Sequence, residues 1–406
     1  MTSGQTVVGL FAGIGGLELG LSASGFHTEL LCEIEPHAQR VLRSHFVDVP
    51  IASDITTLES LPRADIVAAG FPCQDLSQAG SKSGIAGQRS GLVTHLLRLL
   101  RKARPRPKWV LIENVSYMLR LDQGAAMRFL TGALEELGYR WAYRVVDARS
   151  FGVPQRRLRV ILLASRDEDP RDVLFADNVL DGDVVSNRLQ SPLLLDQKGP
   201  NVVEQSEGKT YGFYWTEGRI GIGWTVDAVP TIKGGSGLGI PSPPAIWTPA
   251  KGTLGVPSIE DGERLQGFPA GWTAGASATG KALGARWKLV GNAVCVHAAE
   301  WVGRRLRSPG KYHPTEEHEQ IFESGAWPLA AYGAKGKAIR SVRLSAWPIM
   351  SEGPVLSAFL KHELTPLSHR AASGFLSRAR LTKKINYAPQ FLASVEHYLR
   401  QVQRQE

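Results

Sequence analysis

Between Thr6 and about Ala164 the chain alternates short apolar runs with longer amphipathic stretches, and no other feature constrains the fold as tightly. Strands are expected at Val7–Leu10, Glu29–Cys32, Ile66–Ala69, Trp109–Ile112, Trp141–Val146 and Val160–Ala164. Between them, Leu92, Leu96, Leu99 and Leu100 share one helical face, and so do Met127, Leu130, Leu134 and Leu137. Strands that alternate with helices imply βαβ units and a mainly parallel sheet, so the expected fold class is α/β.

The pattern changes near Asp167. Residues 167–210 are polar and irregular, and residues 211–257 are rich in Gly, Pro and Trp. A second, smaller domain is therefore expected over 167–257, with Trp215, Trp224 and Trp247 as its core rather than as stacking surfaces. Helical signals return from about Ile259, with a helix expected over Ala293–Leu306, and Pro309-Gly310 marks a further break. This gives a first part at 1–166, a return segment at 258–309 and a C-terminal extension at 310–406. From Lys311 onward the extension carries 13 Lys+Arg against 8 Asp+Glu and is expected to contact DNA or pack on a domain; Pro389–Gln403 reads as an amphipathic helix. The basic run 101–108 reads as a solvated connector.

Composition narrows the function classes. Apolar content of 43% with 21% charged residues is that of a globular chain. No run of about 18 apolar residues occurs, and the N-terminus lacks a basic region followed by an apolar stretch, so neither a membrane span nor a signal peptide is expected. Three widely spaced cysteines (Cys32, Cys73, Cys295) form neither a disulfide framework nor a metal set and suit a reducing cytoplasm. A net charge of +9 favours a polyanionic partner.

Several short motifs sit where an α/β sheet presents ligands, at the carboxyl ends of its strands. Phe11-Ala12-Gly13-Ile14-Gly15-Gly16 follows the first strand and opens a helix, with glycines that let backbone approach a ligand. Glu33 ends the second strand, and Asp54 stands in Ser53-Asp54-Ile55; either acid could serve a nucleotide-type ligand or simply be solvated. Phe71-Pro72-Cys73-Gln74 follows an apolar strand, which leaves Cys73 as either a nucleophile or a small buried hydrophobe. Glu113 in Glu113-Asn114-Val115 would stand at a strand end like Cys73, so the two could converge on one substrate. In Gln155-Arg156-Arg157-Leu158-Arg159, strand alternation would put Arg157 and Arg159 on one side, as a guarded edge or an anion contact.

Taken in order, FAGIGG, CEIE, SDI, GFPCQ, RSGL, ENV, QRRLR, RLQGFP and GNAV resemble the ordered motifs of the DNA (cytosine-5)-methyltransferase family over about residues 7–300. The resemblance implies a Rossmann-like S-adenosylmethionine-dependent methyltransferase domain, with 167–257 as an irregular target-recognition domain. Cofactor contacts are implied for Phe11, Ala12, Gly13, Ile14, Gly15, Gly16, Glu33 at the ribose, Ile34, Asp54 and Ile55 at the adenine, Pro72, and Asn292 and Val294 of the late segment. Ala293 stands where Ser is commoner in the family.

For catalysis the resemblance implies Cys73 as the nucleophile that adds to C6 of a flipped cytosine, with Glu113 at N3. Arg157 and Arg159 would support the thiolate and the polar edge of the base, and Arg89 lies in the family's mobile loop segment. No metal is implied. The expected partner is double-stranded DNA, the expected state a cytoplasmic, nucleoid-associated monomer, with restriction or phage-defence proteins as companions. Two other readings stay open: a tRNA cytosine-5 methyltransferase, and a catalytically silent DNA-binding regulator. A zinc deaminase is excluded because His-x-Glu with Pro-Cys-x-x-Cys is absent.

Overall fold

In a computed structural model the described residues are 5–72, 91–179, 201–202, 208–217, 221–235, 243–277, 283–314, 317–320, 325–387 and 389–403. The chain divides into two compact units, each assembled from separate stretches of sequence.

The first unit comprises Met1–Ser150, Leu158–Asp181 and Ala293–Met350. Its strands begin with β1 (Thr6–Leu10), β2 (His27–Cys32), β3 (Ile51–Ala52), β4 (Ile66–Ala69), β5 (Trp109–Val115) and β6 (Arg140–Asp147). The chain then passes through β7 (Gln155–Arg156), which belongs to the second unit, into β8 (Leu158–Ser165). Strands β5, β4, β1, β2 and β3 are adjacent and parallel. Ile66 to Ala69 are all buried, as a continuous apolar run in a parallel sheet must be. Helices Leu92–Lys102 and Ala125–Glu136 bury the expected faces, including Leu96, Leu99, Leu100, Met127, Leu130 and Leu134.

Beyond β5 the sheet changes sense. β8 lies antiparallel between β5 and β6, and Ala330–Gly333, Ile339–Val342 and Glu317–Gln320 continue antiparallel from β6. The mainly parallel sheet is therefore the core half of a larger mixed one. A chain that leaves β6 at Asp147 and re-enters at Leu158 has no room for a crossover helix, so it must return antiparallel.

The second unit comprises Phe151–Arg157, Gly182–Asn292 and Ser351–Glu406. Five short antiparallel strands, in the order Thr225–Val226, Tyr211–Phe213, Ala245–Thr248, Thr253–Val256 and Thr365–Pro366, form its sheet. Helices His369–Leu381 and Pro389–Val402 contribute Phe375 and Phe391 to an aromatic core with Tyr211, Phe213 and Trp247. Trp215 and Trp224 pack against that core, as structural residues should.

The unit boundaries differ from those expected. Residues 258–292 belong to the second unit, because buried Gln155 donates from Nε2 to the Leu265 carbonyl (2.7 Å) and buried Gln266 donates to that of Val290 (2.8 Å). The region from 310 is no single extension: residues up to Met350 add strands to the first sheet, and those from Ser351 complete the second core. Residues 167–181 stay with the first unit, where Asp169 caps the helix Pro170–Leu174. The basic connector is held locally, with Arg106 donating to the Leu137 carbonyl and Lys108 paired with Glu168. Among the described residues no helix is long and apolar enough to cross a membrane, and no cluster suited to a metal occurs.

Gly291 shows how tightly the second unit packs. A Cβ there would lie 2.2 Å from the Lys233 carbonyl carbon and 2.3 Å from the Gly234 nitrogen, both backbone atoms that cannot turn aside. Gly291→Ala is expected to lower stability by about 1–3 kcal/mol through overpacking. Gly132→Ala, in open space within the helix Ala125–Glu136, is expected to raise it by about 0.5–1 kcal/mol. Urea unfolding followed by tryptophan fluorescence measures both.

Candidate active site

The site of the first unit is organised by strand register. Cys32, Leu10, Ala69 and Ile112 are paired across β2, β1, β4 and β5. The next residue of each strand path is Glu33, Phe11, Gly70 and Glu113, so one rung at the carboxyl edge carries four of the motifs. Gly70 marks their meeting point. A Cβ on it would lie 3.7 Å from Val294 Cγ2, 3.8 Å from Glu113 Oε2 and 3.9 Å from the Phe11 carbonyl oxygen.

The loop after β1 turns on left-handed backbone at Phe11 (φ 55°), Gly13 (φ 56°) and Gly15 (φ 85°). For Phe11 this conformation carries strain of about 1–2 kcal/mol. The loop is tied to β2 by the Ala12 N–H donating to the Cys32 carbonyl (3.0 Å). Glu33 adds a second tie: its Oε2 accepts from the Gly13 N–H (2.7 Å) and its Oε1 from the Glu35 N–H (2.8 Å). Burial pushes the Glu33 pKa up, while the N–H groups of Glu35, Gly13 and Ile34 oppose the rise and the Glu35 charge adds to it. Beside it Ile34 exposes 68% of its surface, and the space around Gly13 is open. Ile14 and Gly16 are buried under the loop.

Asp54 closes its own turn by accepting from the Thr56 N–H (2.8 Å), and hydrogen bonding to Thr56 lowers its pKa. Ile55 is buried next to it. Arg98, from the helix Leu92–Lys102, holds this turn by donating to the carbonyls of Ile55 (3.0 Å) and Leu58 (2.8 Å).

Glu113 is buried and paired with Arg159, whose Nε lies 3.0 Å from Glu113 Oε1. Arg159 is opposite Val115 on β8, which puts it diagonal to Glu113 on the same face. Asn114 donates from Nδ2 to the Phe71 carbonyl (2.9 Å) and accepts from the Val115 N–H, which fixes the chain that leads into Pro72. Pro72 itself is exposed. Cys73 and Arg89 lie outside the described residues.

Two expected site residues belong to the second unit. Arg157 and Arg159 do not alternate along one strand: β7 ends at Arg156, β8 begins at Leu158, and Arg157 falls between them. It is buried in the second unit, donating to the carbonyls of Ile232 (3.1 Å) and Gly291 (3.2 Å). Asn292 also belongs to that unit, exposed at the end of the helix Leu283–Asn292, whereas Val294 is in the first unit.

Three residues received no role from the motifs, although Asn114 stands inside one of them. Arg98 and Asn114 act through carbonyl groups, for which a sequence carries no mark. The third is Glu18, 1% exposed, with both carboxyl oxygens lacking a hydrogen-bond partner in any other described residue. Its Oε1 lies 2.0 Å from where a Cβ on Gly9 would be, so Gly9 is the residue that leaves it room. The one available signal is a lone acid inside the apolar helix Gly16–Ser22.

Burial pushes the Glu18 pKa up to about 7; its own backbone N–H opposes this and the Glu33 charge adds to it. The folded state thus holds a proton that the unfolded chain releases near 4.5. Stability from this group is fully present below the unfolded value and is lost as pH rises through about 7. Glu18→Gln is expected to flatten that decline, gaining about 3 kcal/mol on the wild type between pH 4.5 and 8. Urea unfolding across this range reads the effect, and parallel profiles would contradict it.

Comparison with known proteins gives this geometry a family. A sequence model of the C-5 cytosine-specific DNA methylases matches residues 5–210. The chain is 51% identical over 394 residues to the type II methyltransferase M2.BsuMI of Bacillus subtilis (strain 168), across 96% of this chain and 97% of that protein. It is 33% identical over 170 residues to the type II methyltransferase M.DsaV of Dactylococcopsis salina, across 41% of this chain and 48% of that one. Over 168 residues it is 32% identical to M.HhaI of Haemophilus parahaemolyticus, across 41% and 50% of the two chains. The chain belongs to the C-5 cytosine-specific DNA methylase family and is a DNA methyltransferase of that class.

Proposed function

We propose that the protein methylates C5 of a cytosine flipped out of a specific duplex sequence, using S-adenosylmethionine and a covalent bond from Cys73 to C6. The observation that carries this reading is the single rung of Glu33, Phe11, Gly70 and Glu113, with Asn114 fixing Phe71 two residues before the cysteine. The residues present fit the cofactor. A carboxylate held by two backbone donors suits ribose hydroxyls, an exposed Ile34 suits the face of an adenine, and the space at Gly13 admits a ligand. Asp54, Ile55, Pro72 and Val294 of the first unit complete the set.

When bound, S-adenosylmethionine supplies an electrophilic methyl group on a sulfonium. Cytosine C5 is too weak a nucleophile to take it unaided. The Cys73 thiolate adds to C6, which breaks the 5,6 double bond and makes C5 enamine-like. Glu113 holds N3 and stabilises the charge that develops in the ring. Arg159 keeps Glu113 aimed, and Arg157 holds the carbonyl groups of Ile232 and Gly291 within the second unit. Once C5 carries the methyl group, loss of the C5 proton expels the thiolate and restores the aromatic ring.

A base inside a duplex is beyond the reach of such a site, so it must be flipped. The second unit supplies the grip as the target-recognition domain. The net charge of +9 draws the duplex in. The enzyme acts as a monomer in the cytoplasm, alongside a restriction or phage-defence partner.

Cys73→Ser is expected to reduce methyl transfer by at least about 10³-fold, because the weaker nucleophile is not ionised at pH 7. Cofactor affinity, read by calorimetry, should stay within about twofold of the wild type. Retained transfer in the variant would remove the covalent step from the account.

A further inference from the structure

At the amino-terminal edge of the parallel strands, opposite Glu113, the first unit holds a cavity of about 680 Å³. Arg140 opens β6 there, paired with Ser165 at the end of β8, and Ser165 is in turn opposite Trp109 at the start of β5. Ser165 stands six positions after Arg159 along β8, about 20 Å at strand spacing. The cavity is therefore remote from the methyl-transfer site.

Its lining is strongly cationic. Arg140, Arg166, Arg171, Lys335, Lys337 and Arg340 face two carboxylates, Glu135 and Asp169. Both carboxylates are already engaged. Asp169 is held by Arg171 through bonds of 2.6–3.0 Å, and Glu135 accepts from Trp141 Nε1 (2.8 Å). Arg171 also stacks over the Tyr332 ring at 4.5 Å, which fixes that wall. Arg340 lies 4.0 Å from Glu319. None of Arg140, Arg166, Lys335 or Lys337 forms an ion pair among the described residues. Lys335 and Lys337 stand on the turn between Ala330–Gly333 and Ile339–Val342, and Gly333 and Ala334 line the same cavity.

Arg140 does feel the charge of Asp169, but six cations against two carboxylates around a concavity large enough for a nucleotide describe an anion receptor. Guanidinium and ammonium groups together suit adjacent phosphates, which accept several charge-assisted hydrogen bonds at once. We propose that this cavity binds a ligand carrying linked phosphate groups, at a site separate from that of methyl transfer. Such phosphates have two sources, a free polyphosphate or nucleotide and the backbone of a nucleic acid.

The test uses the full chain and inorganic pyrophosphate, titrated by calorimetry at low salt. Saturable binding with a Kd of about 0.1–1 mM is expected. Lys335→Ala/Lys337→Ala should weaken it at least about tenfold, while methyl transfer and cofactor affinity stay unchanged. Lys335 and Lys337 are exposed, and a matching circular dichroism spectrum confirms that the variant is folded. A second arm adds a duplex lacking any methylation site. If the duplex displaces pyrophosphate, the natural ligand is a nucleic-acid backbone; if it does not, the ligand is a free phosphate compound. Absence of saturable pyrophosphate binding, or equal binding by the double variant, overturns the proposal.

Discussion

Four parallel strands held in one register are the constraint on which the rest of the catalytic unit depends. Because β2, β1, β4 and β5 are parallel and in register at Cys32, Leu10, Ala69 and Ile112, their continuations must emerge side by side. A register slip of one residue in any of them would turn a functional side chain to the opposite face of the sheet. The change of sense at β5 then supplies what a purely parallel sheet could not. An antiparallel β8 starts where β5 ends, so Arg159 meets Glu113 across neighbouring strands. Removing one member of such a buried pair leaves the other charge uncompensated, at a cost of about 3–5 kcal/mol.

Around that rung the chain orders its loops through backbone bonds more than through side-chain packing. Glu33 joins the loop after β1 to the start of the next helix by accepting from Gly13 and Glu35. Arg98 holds the Asp54–Leu58 turn, and Asn114 holds Phe71. Each of these groups satisfies backbone atoms that have left the sheet and would otherwise be unpaired. Glu18 stands apart from this scheme, since its carboxyl is buried without such donors and carries a raised pKa instead.

The parallel half of the sheet was legible because its strands are fully buried runs with clear ends, as at Ile66–Ala69. The ordered motifs located Glu33, Gly13 and Glu113 for the same reason, since each follows a strand that the apolar pattern marks, whereas Val294 sits between two helices and was found by its motif alone. Strands such as Ala330–Gly333 were not legible: four small or neutral residues carry little period, and their partner β6 lies far away in sequence. The division into units was hidden likewise, because the aromatic core joins Tyr211 and Trp247 to Phe375 and Phe391 across more than a hundred residues. Arg157 misled the alternation argument because the chain leaves one short strand and enters another at that residue.

A covalent bond between Cys73 and C6 can be trapped. A duplex carrying 5-fluorocytosine at the methylated position offers C6 to attack but no C5 proton to lose, so addition and methyl transfer should stop at a stable adduct. Proteolysis and mass spectrometry of the trapped complex are predicted to find the modified base on the peptide that contains Cys73. An adduct on any other residue, or turnover of the fluorinated duplex with no adduct at all, would contradict the account.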